Sequence, residues 1–251
     1  MTTAKHAIVT GGGTGIGLAI ARALAAEGHH VTITGRRAGP LDAAAQETER
    51  LYPAVMDVSD EDAVTTGIAQ AVAARGPIQI CVPNAGIAEG RALLKTDMAF
   101  WRKMMVINVD GAFLTIRESL KSMTETDWGR VIAVASIAGL RGLKGAPTYT
   151  ASKHAMVGLI RGLAADYAMK PYTFNALCPA YVDTDIVSRN TESIMARTGL
   201  DEEKARALMT DLNPHGRLIL PEEVAASALW LCGPHSGSVN GQAIQIAGGE
   251  V

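Results

Sequence analysis

A tyrosine and a lysine four residues apart, Tyr149 and Lys153, follow a serine, Ser136, by thirteen and seventeen residues. Residues four apart share one face of a helix, so this spacing sets an ammonium beside a phenol. A neighbouring positive charge favours the phenolate, and the tyrosine pKa is expected to fall from its ordinary value of about 10 toward working pH. A phenol tuned in this way can act as a general acid or base. Ser136 closes the apolar run Val131-Ile132-Ala133-Val134-Ala135, which reads as a buried strand. A hydroxyl at the C-terminal end of a strand can hydrogen-bond a substrate oxygen. Tyr-x-x-x-Lys is also the pattern of an ordinary surface pair, and a second segment tells the two readings apart.

That segment is Thr10-Gly11-Gly12-Gly13-Thr14-Gly15-Ile16-Gly17. It follows the apolar run Ala7-Ile8-Val9 and opens a helical pattern in Ile16, Leu18, Ala19, Ala21, Ala23 and Leu24 that lasts to Gly28. Strand, glycine turn and helix together can seat a dinucleotide. The glycines allow a tight turn and close approach of a pyrophosphate, and the helix N-terminus offers free N–H groups and a partial positive charge.

The elements that must position these groups alternate along the chain. Strands are predicted at residues 7–10, 31–34, 52–56, 78–82, 130–135, 173–177 and 243–246, and helices at 16–27, 41–50, 61–75, 100–123, 149–169 and 222–231. The expected fold is α/β: a single Rossmann-type domain over residues 1–251. Its seven-stranded, doubly wound parallel sheet runs in the order 3-2-1-4-5-6-7, with helices on both faces. Ligands then lie at the carboxyl ends of the strands. The longest departure from alternation, residues 183–221, has helical character at 191–197 and 202–212, and an insertion this long is more often functional than not.

Taken together, these segments resemble the short-chain dehydrogenase/reductase family, and the resemblance covers essentially the whole chain. The glycine spacing is that family's T-G-x-x-x-G-I-G. Asp57-Val58 is similar to its adenine contact, and Pro83-Asn84-Ala85-Gly86 to its N-A-G motif. Ile107-Asn108-Val109 carries its helix asparagine. Cys178-Pro179-Ala180-Tyr181-Val182-Asp183-Thr184 is similar to P-G-x-V-x-T with alanine for glycine, and Ala247-Gly248-Gly249 to D-G-G without the aspartate. If the replaced glycine needs a positive φ, Ala180 strains the loop.

The resemblance implies a nicotinamide-dependent oxidoreductase interconverting a ketone and a secondary alcohol, with a catalytic set of Asn108, Ser136, Tyr149 and Lys153. Tyr149 exchanges the proton, and Ser136 hydrogen-bonds the same oxygen. Lys153 lowers the Tyr149 pKa and holds the nicotinamide ribose. Asn108 helps hold a water on the proton path. The implied cofactor contacts are Gly11, Gly13, Thr14, Gly15, Ile16, Gly17, Arg36, Arg37, Asp57, Val58, Asn84, Ala85, Gly86, Tyr149, Lys153, Pro179, Val182 and Thr184. Segment 183–221 covers the substrate, and the helix after Tyr149, with small residues Ala155, Gly158, Gly162 and Ala165, pairs subunits of a homotetramer. Close packing inside one subunit is the other reading of that stripe.

At the end of the second strand, where an acidic residue would bind the adenosine ribose and repel a 2′-phosphate, the chain has Gly35-Arg36-Arg37. Two guanidiniums suit a phosphate, which favours NADP(H). NAD(H) stays open, because solvated arginines, or arginines stacked on adenine, fit the same residues. Candidate pocket residues are Ala88, Leu140, Leu143, Tyr181, Ile186 and Val187, with Arg141, Lys144 and Arg189 at the rim. An apolar pocket with a cationic rim suits a 3-oxoacyl or other β-keto compound. An NAD-dependent dehydrogenase of the 3-hydroxybutyrate kind is the alternative enzyme, and a dinucleotide-binding protein without turnover is the non-enzymatic reading.

Composition narrows the classes further. The 251 residues are 48% hydrophobic but only 4% aromatic, so the core is expected to be aliphatic. With 23 basic against 25 acidic residues there is no field for nucleic acid, and no apolar run reaches a membrane span. Cys81, Cys178 and Cys232 have no metal-ligand spacing and read as free thiols in the cytoplasm, with no signal peptide before the first strand and no metal site.

Overall fold

The computed structural model describes residues 4–250, apart from the side chains of Ile186, Arg189, Asn190, Ser193, Ile194 and Arg197. Strands β1 (His6–Thr10), β2 (His30–Gly35), β3 (Leu51–Val55), β4 (Ile78–Val82), β5 (Gly129–Val134), β6 (Tyr172–Pro179) and β7 (Ala243–Ile246) form one seven-stranded sheet in the order β3-β2-β1-β4-β5-β6-β7. Every pairing is parallel. The expected order and strand number are thus observed.

Alternation along the strands builds a core on each face. Ile8 in β1 and Val131 and Ala133 in β5 point to one face. There they meet Val64 and Ile68 of α3 (Glu61–Arg75), Ile116 and Leu120 of α5 (Gly111–Met123), and Met156 and Ile160 of α6 (Pro147–Asp166). Ala7, Val9, Ile132 and Val134 point the other way, onto Ile20 and Leu24 of α1 (Gly15–Ala26), Leu41 of α2 (Ala38–Glu47) and Val224 and Leu231 of α9 (Pro221–Cys232). Strands apolar on both faces are what a parallel sheet covered on both sides requires.

The expected single helix over residues 100–123 is two. Helix α4 (Met98–Met105) passes through a π-turn, Val106–Asp110, into α5. The break falls where Val106, Ile107, Asn108 and Val109, all poor helix formers, follow one another. Segment 183–221 contains α7 (Asp185–Thr198), longer than the expected 191–197, and α8 (Glu202–Thr210). Val187, Met209 and Leu218 form its own small core. Among the described residues no helix is long and apolar enough to cross a membrane.

The amino ends of β1 and β2 carry a buried polar knot. The Gly76 carbonyl can only accept, so His6 carries its ring proton on Nδ1 and donates to it at 2.8 Å. The neutral ring's Nε2 then accepts from the Thr32 hydroxyl at 2.8 Å, and that hydroxyl accepts from Arg75 Nε at 3.1 Å. Burial, with Arg75 beside it, pushes His6 down to about 4 from 6.5. Burial lowers His29 as well. A depressed histidine stabilises the fold fully above pH 6.5. Between 6.5 and 4 the unfolded chain takes up a proton that the folded chain refuses, and that stability is lost. The full effect is on the order of 3 kcal/mol. The melting temperature is therefore expected to fall as pH drops from 7 to 4.5. In His6→Gln, which keeps an amide donor and acceptor, the melting temperature starts lower and falls less steeply. Equal slopes for the two proteins would remove His6 as the cause.

Candidate active site

The glycine turn is clamped from below by the end of β4. The Thr10 hydroxyl accepts from the backbone N–H groups of Asn84 and Ala85, each at 3.0 Å. The Asn84 amide donates to the carbonyls of Thr10 at 2.8 Å and Gly11 at 3.3 Å. Asn84, expected at the cofactor, therefore spends its side chain supporting the turn. Gly17 explains why no side chain is tolerated there: a Cβ would sit 2.3 Å from the Gly11 carbonyl oxygen and 2.5 Å from Asn84 Nδ2. Thr14 is the N-cap of α1 but makes no side-chain capping bond, which leaves the first N–H groups of the helix to an anion.

From this turn a groove of 540 Å³ runs along the carboxyl ends of the strands. Gly11, Gly13, Thr14, Arg36, Arg37, Asp57, Val58, Ala85, Gly86 and Ala88 line it, all expected positions. Arg36 and Arg37 are exposed. Burial tends to raise the Asp57 carboxyl, but bonds from the Ser59 N–H and hydroxyl and the charge of Arg36 outweigh it and hold the pKa below the ordinary value. Thr34, which sequence reading missed, also lines the groove, and its buried hydroxyl has no hydrogen-bond partner. The capless helix, the glycine cradle and this hydroxyl together fit a dinucleotide. Thr184 caps α7 and lies against the glycine turn, its methyl 3.2 Å from where a Gly15 Cβ would be. Pro179 ends β6, and Val182 is bridged to Ile219. Among the described residues the non-glycine residue with positive φ is Arg50, so Ala180 needs no left-handed backbone and the feared strain is absent.

Ser136 lies just past β5, at the entry to a short 3-10 turn, Ile137–Gly139. Its Oγ accepts from the Ala138 N–H at 3.1 Å and lies near enough to the Tyr149 phenol to favour the charged form of that group. Pro147, whose missing N–H costs nothing at a helix start, opens α6 two residues before Tyr149. Asn108 is fully buried in the π-turn. Its carbonyl accepts from the Ile87 N–H at 2.8 Å; its amide donates to the Ile87 carbonyl at 3.0 Å and to Ser152 Oγ at 3.1 Å. Ser152 in turn donates to the Tyr149 carbonyl at 2.7 Å. Asn108 thus ties the loop after β4 to the helix that carries Tyr149 and Lys153.

The expected Lys153 effect on Tyr149 needs correction. Lys153 Nζ lies 5.8 Å from the centre of the Tyr149 ring and donates instead to the Val134 carbonyl at 3.0 Å. Burial pushes the phenol up to about 12 against the nearby Ser136 hydroxyl, which lowers it, and burial pushes Lys153 down to about 8. Desolvation penalises both charged forms and is the largest cause of both shifts. Cys178, not anticipated as part of the site, lies near the Ser136 backbone N–H and the Lys153 charge, both of which lower its pKa, but burial outweighs them and pushes its thiol up to about 11. Its place in β6 was legible, its proximity was not.

The substrate candidates separate. Ala88 lines the groove, and Leu140, Leu143 and Tyr181 are half-buried. Val187 packs on Met209 and Leu218, 3% exposed, and so belongs to the small core of segment 183–221. The side chains of Ile186 and Arg189 lie outside the described residues. Gly158 and Gly162 are exposed with open space over both, so the reading of that stripe as close packing within the chain does not hold.

Residues 5–194 match the family model described as short chain dehydrogenase. The chain is 39% identical over 247 residues to galactitol 2-dehydrogenase (L-tagatose-forming) of Cereibacter sphaeroides, covering 97% of this chain and 93% of that protein. It is 34% identical to D-beta-hydroxybutyrate dehydrogenase of Cupriavidus necator, over 100% and 99% of the two chains. Among solved structures, a variant of actinorhodin polyketide ketoreductase with NADPH superposes with a TM-score of 0.94 at 32% identity, over 99% of this chain and 98% of that one.

Gly17→Ala tests the clamp. The added methyl must displace backbone, so a loss of about 1–3 kcal/mol of stability is expected in denaturant titrations. Dinucleotide affinity, read by quenching of protein fluorescence, is expected to fall more than about tenfold. Unchanged affinity in a folded variant would show that the turn does not seat the pyrophosphate.

Proposed function

The chain belongs to the short-chain dehydrogenase family and is a nicotinamide-dependent oxidoreductase acting on CH–OH groups; from that premise we propose that it interconverts a β-keto compound and its 3-hydroxy counterpart, with NADP(H) favoured. Support for the chemistry comes from one observation above all: the Ser136 hydroxyl lies close enough to the buried Tyr149 phenol to favour its charged form, with the Lys153 ammonium buried 5.8 Å from the phenol ring centre. A nicotinamide dinucleotide, when bound, gives or takes a hydride at the substrate carbon. Tyr149 donates its proton to the substrate oxygen in reduction and accepts it back in oxidation. Ser136 donates to the same oxygen and offsets its developing charge. Lys153 and Tyr149 would hold the nicotinamide ribose, and Asn108 holds the helix that carries them.

Arg36 and Arg37 at the groove lip, with Gly35 in place of an acid, support NADP(H). Half-buried Leu140, Leu143 and Tyr181, with Arg141 and Lys144 near them in sequence, support a β-keto substrate. So does likeness to a polyketide ketoreductase and a hydroxybutyrate dehydrogenase. The latter also keeps an NAD-dependent 3-hydroxybutyrate-like reaction as the second reading. The exposed Gly158 and Gly162 face on α6 supports close approach of another subunit, and we infer a homotetramer. Three free cysteines support a cytoplasmic setting.

Tyr149→Phe is expected to lower kcat by about two to four orders of magnitude while dinucleotide affinity stays within about threefold. A phenol at about 12 holds its proton at neutral pH, the state that reduction needs. Oxidation needs the phenolate, so oxidative kcat/KM rises from pH 6 to 9 and reductive kcat/KM does not. Retained turnover in the phenylalanine variant would rule out the assignment. Replacing Arg36 and Arg37 by alanine is expected to weaken NADPH about tenfold and NADH far less. Parallel losses for the two, measured by calorimetry, would contradict the NADP(H) preference.

A further inference from the structure

β6 and β7 end side by side. Pro179 is opposite Ile246, and the Ala180 N–H donates to the Ile246 carbonyl at 3.1 Å. The next residues, 247–250, turn on themselves through a bond from the Glu250 N–H to the Ala247 carbonyl. Gly248, at φ 62°, lies flat on the His215 ring, whose Cγ would be 2.5 Å from any Cβ. This strap brings the Glu250 carboxylate onto the Arg141 guanidinium, two residues beyond the turn that follows Ser136.

The pairing is incomplete. A guanidinium and a carboxylate can meet through two parallel hydrogen bonds. Here Arg141 Nη2 meets Glu250 Oε1, while Arg141 Nε and Glu250 Oε2 are buried without hydrogen-bond partners. Each orphan raises the free energy of the closed arrangement. Arg141 remains 40% exposed, so a second anion can reach it. Its charge also bears on the site: it is felt by the Tyr181 phenol, which is in turn felt by Tyr149. One cation just past the turn that follows Ser136 therefore holds a carboxylate supplied by the chain itself.

We propose that Arg141 anchors the carboxylate of a short 3-oxo or 3-hydroxy acid, and that Glu250 occupies the same guanidinium as an internal carboxylate which the substrate displaces. The proposal rests on the oxidoreductase reading above and narrows its substrate to a free acid. A carboxylate is the anion of choice because Glu250 shows that this guanidinium accepts one. With glycine at 248 and 249, both at positive φ, the strap carries no side chain there to hold Glu250 in place.

The test compares reduction of acetoacetate with that of acetoacetamide, which differ in the charge of one end. Glu250→Gln removes the competing charge and is expected to raise the acid-to-amide ratio of kcat/KM about tenfold; Arg141→Met is expected to lower it about tenfold. A ratio unchanged in both variants, with both rates falling together, makes the pair a structural latch and overturns the proposal. A ratio that falls in Glu250→Gln overturns it too, since the carboxylate would then be receiving the substrate. A second arm needs no turnover: butyrate binding, by calorimetry, is expected to tighten about tenfold in Glu250→Gln and to weaken in Arg141→Met. Equal butyrate affinity in all three proteins overturns the proposal. Failure to reduce either ketone counts against the β-keto reading alone, and the butyrate arm still decides the role of Arg141.

Discussion

A buried carboxamide cannot leave its hydrogen bonds unmade, and the active site is assembled around one that makes them all. Asn108 accepts from and donates to Ile87 on the loop after β4, and donates to Ser152 on α6. Those partners come from two segments that the sheet alone does not hold together: the wall of the dinucleotide groove and the helix with Tyr149 and Lys153. An unsatisfied amide at this depth costs about 1–3 kcal/mol, so the three segments keep one relative position. The π-turn around Asn108 belongs to the same arrangement, since it is the local widening with which the helix passes the loop.

Around that frame the protonation states follow from burial more than from pairing. Lys153 is spent on the Val134 carbonyl, and both it and Tyr149 are pushed toward their neutral forms. Cys178 shares this dry environment, and burial raises its thiol against the nearby Ser136 N–H and Lys153 charge. In the proposed reaction, the protonated phenol is the group that gives its proton to the carbonyl oxygen. The rim is different in kind: at Arg141 and Glu250 opposite charges meet in partial contact with water, so their partners can be exchanged.

Much of the site was legible because its residues sit at the ends of strands whose order follows from chain alternation. The glycine turn, Asp57, Ser136 and Tyr149 all fall at carboxyl ends of the sheet for that reason. Other roles were hidden by spacing. Asn84 was read as a cofactor contact, but its amide lies under the turn, 74 residues away in sequence from the Thr10 carbonyl it binds. Val187 has the character of a pocket residue, yet helix phase turns it onto Met209 and Leu218. Thr34 and Cys178 are unremarkable members of strands until the fold shows what they face.

By itself the sequence determined the alternation of strands and helices, the sheet order, the glycine turn and the candidate residues for proton transfer. These depend on local periodicity, on glycine where a Cβ has no room, and on short fixed spacings along one helix. Only the tertiary structure decided which way desolvation tips Tyr149 and Lys153, where the helix at Asn108 opens, and that a carboxylate from beyond β7 reaches Arg141. Burial and long-range pairing set those outcomes, and both are properties of segments brought together from distant parts of the chain.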